Sequence, residues 1–461
     1  MLTNQRGKSR FDLNAIRPFR YPVPVVEPIH FWSKAPNSEI SAARKQTIIK
    51  IVVITVMMWV LLFLVACIFI GGGHQVPYNT KHFHVIIIDY DQQQAGTVLV
   101  QSFQNSPPRE LTLHWIFTSP SNYNPNYPIY EVTHGKVWAA VSIKPGTTQL
   151  INSAIDSVFS NTIAMSAISV PPTVDIFFQS GRSFATMFQF IVPPILAAIG
   201  RANGQYSQIL ETRLIQQLNA MSSSSSSLRV SSSILNLSAV SSNPILFTLN
   251  DLAPIKHNVG QAASTIGYIF VYLLALISVA SAIGISKSLS GKIRIFDIVV
   301  GRLLSGAFQG LIVSLIYALI VLWFYGYPNY GQFVRYWMFN WLFFLTFTPI
   351  VALLFITLGP LSIFILTLFF ILTLSTADLL VNPELQPRFF RVGYGLPFYH
   401  VMAGARHLLF GSYSNFKADV GCLIGWSFFT TFLAAAADTY YLHKAQKKIR
   451  QNLIKEKQTK K

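Results

Sequence analysis

The sequence predicts a polytopic α-helical membrane protein: six transmembrane helices in a one-plus-five arrangement, with a mixed α/β extracytoplasmic domain between the first and second. Three observations lead there. Of 461 residues, 52% are hydrophobic and only 11% charged, against about 25% charged in an ordinary soluble domain. Apolar runs of membrane length recur along the chain. The basic residues flank those runs on one predicted side. A chain this apolar cannot coat a water-facing surface of its own size, so disorder, a soluble multidomain enzyme and a nucleic-acid binder are excluded as classes. Two cysteines, Cys67 and Cys422, exclude a disulfide framework and a multi-cysteine metal site.

A helix crosses a ~30 Å hydrocarbon core with about 20 residues. Runs near that length are Ile51 to Ile70, Ile266 to Ile285, Leu303 to Tyr325, Trp337 to Leu358, Leu361 to Ala377 and Gly421 to Ala437. Gly359-Pro360 is the turn signal between the fourth and fifth. Phe184 to Ile199 is shorter and holds Pro193-Pro194, so it is read as a buried helix. The first span follows about 50 residues and is expected to remain as a signal anchor.

Lysine and arginine set the orientation. Residues 1–50 hold nine of them against three acids, residues 286–302 hold Lys287, Lys292, Arg294 and Arg302 against Asp297, and residues 442–461 hold eight against Glu456. With six spans these segments share one side, expected to be cytosolic with both termini, and the basic tails also suit anionic lipid. The segment 74–264, with nine basic and eight acidic residues, then lies outside or in a lumen.

That segment is long enough for a domain. His84 to Asp89, Leu111 to Phe117 and Lys136 to Ile143 read as strands, and Gln205 to Met221 as a helix. Ser222 to Ser227 is a flexible serine run. Asn236-Leu237-Ser238 makes Asn236 the glycosylation candidate.

The motifs for chemistry are sparse. Gly284 to Lys292 is a near match to a phosphate-binding loop, but Ile293 replaces the needed hydroxyl residue. No cofactor, metal or enzymatic activity is therefore expected. His82-x-His84 lacks a third ligand and reads as a solvated strand face. Asp89 and Asp91 fit an acid pair or calcium ligands, but a strand end followed by a turn accounts for them more simply. No span holds Lys, Arg, Glu or His in its apolar core, which argues against an autonomous proton antiporter. The spacings Gly306-x-x-x-Gly310 and Gly421-x-x-x-Gly425 suit packing within the chain. Residues 396–411 read as a re-entrant or interfacial segment, with an ordinary amphipathic loop helix as the alternative.

The stretch from His84 to Asp91 with Gly96, and Ile129 to Ala140 with Gly135, Trp138 and the later Pro145, resemble the outer-domain segments of ABC-2-type permeases and bacterial YhgE/Pip proteins. Leu396-Pro397-Phe398-Tyr399-His400 with Arg406 to Gly411 resembles the pre-terminal segment of fungal nitrosoguanidine-resistance (SNG-type) membrane proteins. The resemblance marks Asp89, Asp91, Gly135, Trp138, Pro397 and Arg406 as family-motif residues. It implies an exporter-type fold and a role in resistance to toxic compounds. Because the chain carries no ATPase motif, the expected partners are membrane lipids and a separate ATPase or a regulatory protein, with Lys287, Lys292 and Arg294 as a candidate coupling loop. A plasma-membrane site is expected, with endoplasmic reticulum or vacuole as alternatives. A non-transporting organiser of lipids or stress signalling is the competing expectation.

Overall fold

A computed structural model describes residues 38–74, 76–107, 112–120, 122–159, 171–222, 243–289, 293–327, 329–379 and 381–459. The chain divides into two units inside its first helix, residues 1–62 and residues 63–461. That helix, α1 (Ser38–Gly71), lacks Gly and Pro until its last residue and stops at Gly71-Gly72-Gly73. Its side chains from Ile48 to Leu62 are largely exposed and apolar, Trp59 and Leu62 among them.

The described part of the α/β layer runs β1 (His84–Asp89), α2 (Gln94–Gln104), β2 (His114–Thr118), α3 (Asn126–Thr133), β3 (Ala139–Ile143), α4 (Thr147–Phe159), β4 (Val174–Phe178), α5 (Val192–Ser222) and β5 (Phe247–Asp251). Among the described residues the strands form one sheet of order β2-β1-β3-β4-β5, parallel except where β3 meets β4. β1 is buried from Val85 to Asp89, which is why it reads as an unbroken apolar run rather than an alternating one. One face packs on α2, α4 and α5 through Leu99, Phe103, Ile151, Ile195 and Tyr206. The other carries a smaller cluster, in which Ile86, Ile88 and Ala140 meet Val132.

The three sequence-predicted strands are present within a few residues of their expected bounds. β4 and β5 were not expected, and strands and helices alternate instead of segregating into two halves. The helix expected at Gln205 to Met221 begins at Val192. It is entered through a π-turn, Met187–Ile191. Pro193 and Pro194 have no N–H to return to the preceding turn, so the chain widens there. Asn236 lies outside the described residues.

The helical layer comprises α6 (Gly267–Leu289), α7 (Ile295–Phe324), α8 (Tyr330–Leu358), α9 (Ser362–Ser375), α10 (Pro397–Phe410) and α11 (Phe416–Thr459). Asn329 caps α8 by accepting from the Gln332 amide at 2.8 Å. Inside α8, Pro349 cannot bond the Leu345 carbonyl, and Ser427 Oγ from α11 donates to that oxygen at 3.1 Å instead. Between α8 and α9 the turn Gly359–Leu361 holds Gly359 at φ 58°, where the helix cannot continue. A Cβ on Gly310 would lie 2.4 Å from Phe344, so the first glycine pair packs within the chain, whereas among the described residues no neighbouring side chain comes within 4 Å of a Cβ on Gly421 or Gly425.

Six helical stretches among the described residues are long and apolar enough to cross a membrane. They are not the six runs expected. The α8–α9 stretch, Tyr330–Ser375, counts as one, and Phe184–Gln217 joins the set. The latter buries its apolar face on the sheet. Two helices extend beyond the apolar runs. α7 begins at Ile295, ahead of the run from Leu303, and Asp297 suits its first turn, so Arg302 lies within the helix. The basic tail 442–461 continues α11 as helix through Thr459, since it contains neither Gly nor Pro.

Candidate functional site

Two cavities stand out. The first is a polar cleft of about 410 Å³ between the α/β layer and the 377–419 segment. The turn after β4 supplies Arg182, and the residue before β3 is Trp138. The segment after α9 supplies Asp378 and Glu384, and α10 supplies Tyr399, His400 and Arg406.

Arg406 organises the floor. Its Nη1 donates to Asp378 Oδ2 at 2.5 Å and to the Arg182 carbonyl at 3.2 Å, and its Nη2 donates to the Asp378 carbonyl at 2.8 Å. Ser183 Oγ donates to Asp378 Oδ1 at 2.9 Å. Asp378 holds a left-handed backbone at φ 59°, which aspartate tolerates better than most residues. Burial pushes its carboxyl above the usual range, opposed by the charge of Arg406.

His400 sits between two acceptors. Nδ1 lies 2.7 Å from Asp419 Oδ1, and Nε2 lies 2.9 Å from the Tyr394 carbonyl. A carbonyl only accepts, so Nε2 carries a proton, and the Asp419 contact requires a second proton on the imidazole or the carboxyl. Ser414 Oγ also donates to Asp419 Oδ2. On the wall, Trp138 Nε1 donates to Glu384 Oε2 at 3.2 Å. Burial, with Glu384 nearby, pushes the Tyr394 phenol up to about 12, so it keeps its proton at neutral pH.

The second cavity, about 270 Å³, lies among α6, α7, α8 and α11. Its lining is largely aliphatic, with Ala282, Leu303, Ala307, Ala352 and Ala435. Its one charged pair is Arg302–Asp438, and Arg302 Nε also donates to Ser286 Oγ at 2.7 Å. The ion pair joins α7 to α11 just outside the apolar runs Leu303 to Tyr325 and Gly421 to Ala437, whose cores hold no Lys, Arg, Glu or His.

The structure gathers some of the sequence-predicted residues and disperses others. Gly135, Trp138 and Arg406 line the polar cleft, and Pro397 opens α10 at its first position, where its fixed φ suits a helix start. Gly135 has φ +70°, and a Cβ there would lie 2.3 Å from Tyr413. Asp89 and Asp91 instead close the end of β1. Asp89 Oδ1 accepts the amides of Asp91 and Gln92, each at 3.0 Å. Asp91 accepts Thr148 N at 3.0 Å, Thr148 Oγ1 at 2.6 Å and Gly96 N at 3.3 Å. They fasten a turn, and no metal-binding cluster of three or more His, Cys, Asp or Glu occurs among the described residues. His84 packs edge-on to His114 at 4.8 Å.

Arg294 is exposed just before α7. Lys292 and the side chain of Lys287 lie outside the described residues. Sequence reasoning missed Arg182, Glu384 and the His400–Asp419 pair. Only the turn signal Ser180-Gly181 beside Arg182 was available, and it says nothing of what the arginine meets.

The fold and its two cavities define a multi-pass membrane-type protein with an α/β layer joined to a helical bundle. The chain belongs to the family described as "Protein of unknown function (DUF3533)", which it matches over residues 54–432. No curated protein and no solved structure matches it.

Proposed function

We propose that the protein handles amphipathic compounds or lipids within the membrane, as an ABC-2-permease-like exporter that contributes to resistance to toxic compounds. The observation that carries this is the aliphatic cavity with a single ion pair at its polar margin. Its volume approaches the lower end of small-molecule pockets, about 300–1,000 Å³. A hydrocarbon chain suits the aliphatic wall, and a polar head suits Arg302, Asp438 and the Ser278 hydroxyl, which has no hydrogen-bond partner among the described residues. In this reading α1 and five later crossings span a plasma membrane, both termini are cytosolic, and the α/β layer lies outside. A separate ATPase supplies the energy and docks near Arg294.

A specific observation also favours a non-transporting regulator. Trp138–Glu384 and Arg182–Arg406 hydrogen bonds tie the α/β layer to the helical segment, so ligand binding on one is felt by the other without an energy source. Ala282→Phe, which fills the aliphatic cavity, tests the first reading. We expect it to abolish binding of a spin-labelled fatty acid to the purified protein and to lose resistance in cells. Unchanged binding and resistance would reject the exporter.

A further inference from the structure

The carboxylates of the polar cleft are already engaged. Asp378 is held by Arg406 and Ser183, Asp419 by His400 and Ser414, and Glu384 accepts from Trp138. Arg182 differs. Its guanidinium lies 3.6 Å from the Trp138 ring centroid and 5.3 Å from that of Tyr413. Among the described residues its one hydrogen bond is to the Val137 carbonyl, at 3.5 Å, the edge of the bonding range. Among the described ion pairs it takes part in none.

A guanidinium has five N–H donors in one plane. Stacking on Trp138 occupies its face and leaves the in-plane fork for a ligand. Burial disfavours its charge, and the nearby carboxylates of Glu384 and Asp378 offset this only in part, so a directly bonded anionic partner is worth more. A second group points the same way: Ser412 is 1% exposed and lines this cleft, and its hydroxyl, itself shielded from solvent, has no hydrogen-bond partner among the described residues. An adjoining cavity of about 340 Å³ shares Gly135, Trp138, Arg182, Glu384 and Tyr394 with the cleft and, taken as its mouth, adds Lys136 and Arg391; Glu384 is its one carboxylate among the described residues. Lys136 is held by Glu131 at 2.9 Å, which leaves Arg391 as the rim cation.

We propose that this cleft binds a phosphate ester, with Arg182 as the fork, Ser412 as a further donor and Arg391 at the mouth. Donors come from three separate segments, which suits a tetrahedral anion better than a planar carboxylate. The cleft, at about 410 Å³, leaves room for the group the phosphate carries. The site does not depend on the transport reading, and its failure would leave the aliphatic-cavity test intact.

The test is calorimetric titration and native mass spectrometry of the full-length protein in detergent. The probes are inorganic phosphate, glycerol 3-phosphate and dihexanoyl-phosphatidylglycerol. We expect saturable binding of at least one ester, weakened about 10-fold or more by Arg182→Met and by less in Arg182→Lys, which keeps the charge but loses the fork. Preference for the phospholipid assigns a lipid headgroup, and equal affinity for glycerol 3-phosphate assigns a soluble ester. Should Arg182→Met fail to fold, Arg391→Glu on the exposed rim takes its place and must weaken binding. No saturable binding of any probe, or wild-type affinity in the variant used, would overturn the site.

Discussion

The two cavities manage charge in opposite ways. The polar cleft gathers arginines, carboxylates, a histidine and several phenols, and nearly every charge there has a named partner. The aliphatic cavity admits one ion pair and otherwise presents hydrocarbon. Desolvating an ion costs several kcal/mol, so a charge persists inside a protein only where partners replace its water. The cleft meets that condition with a network drawn from five chain segments. The aliphatic cavity meets it with one helix-to-helix pair.

The sharpest way to break the contrast is to unpair the cleft. Arg406→Ala should destabilise the protein by about 3–5 kcal/mol, because Asp378 is left buried without its cation. Thermal unfolding in detergent reads this, and the double variant Asp378→Asn/Arg406→Met should recover part of the loss. Gly135→Ala is the next largest. It combines a left-handed backbone with a Cβ 2.3 Å from Tyr413, for a cost of about 2 kcal/mol. Adding Tyr413→Ala should relieve the contact and leave only the backbone strain, as a double-mutant cycle in unfolding temperature would register.

Smaller effects fall on the turn after β1, away from either cavity's lining. Asp91→Asn turns one acceptor oxygen into a donor facing Thr148 or Gly96 and should cost about 1–2 kcal/mol. Asp89→Asn should cost about 0.5 kcal/mol or less near neutral pH, since Oδ1 can still accept both amides and the buried charge is gone. Burial holds the Asp89 carboxyl above its unfolded value, so the folded state binds this proton more tightly than the unfolded one. Its contribution is full below about pH 4, the unfolded value, and is lost as pH rises through the raised folded value. Asp89→Asn should flatten that part of the unfolding profile. Unchanged curvature would show that Asp89 is not its source.

Local features were legible where one residue type sufficed. β1 announced itself by an unbroken β-branched run, and the α8–α9 break by Gly359-Pro360. β4 and β5 were not, because Val174–Phe178 and Phe247–Asp251 are five-residue strands with polar positions and short runs carry weak periodicity. α7's true start was hidden because hydropathy finds apolar runs, whereas Arg302 enters the helix through a partner on α11. The polar cleft was partly visible through Gly135, Trp138 and Arg406. Its remainder depends on pairings such as Trp138 with Glu384, 246 residues apart, which no local pattern encodes.

The last helix has a mechanical consequence. At 1.5 Å per residue α11 is a rod about 66 Å long. Asp419 near its start is fastened in the polar cleft, and Asp438 further along is fastened in the aliphatic cavity. The two carboxylates are separated by about 28 Å of helix, close to the thickness of a bilayer's hydrocarbon core. A straight helix barely stretches, so the two anchors act as the ends of one strut: a tilt imposed at either is delivered to the other.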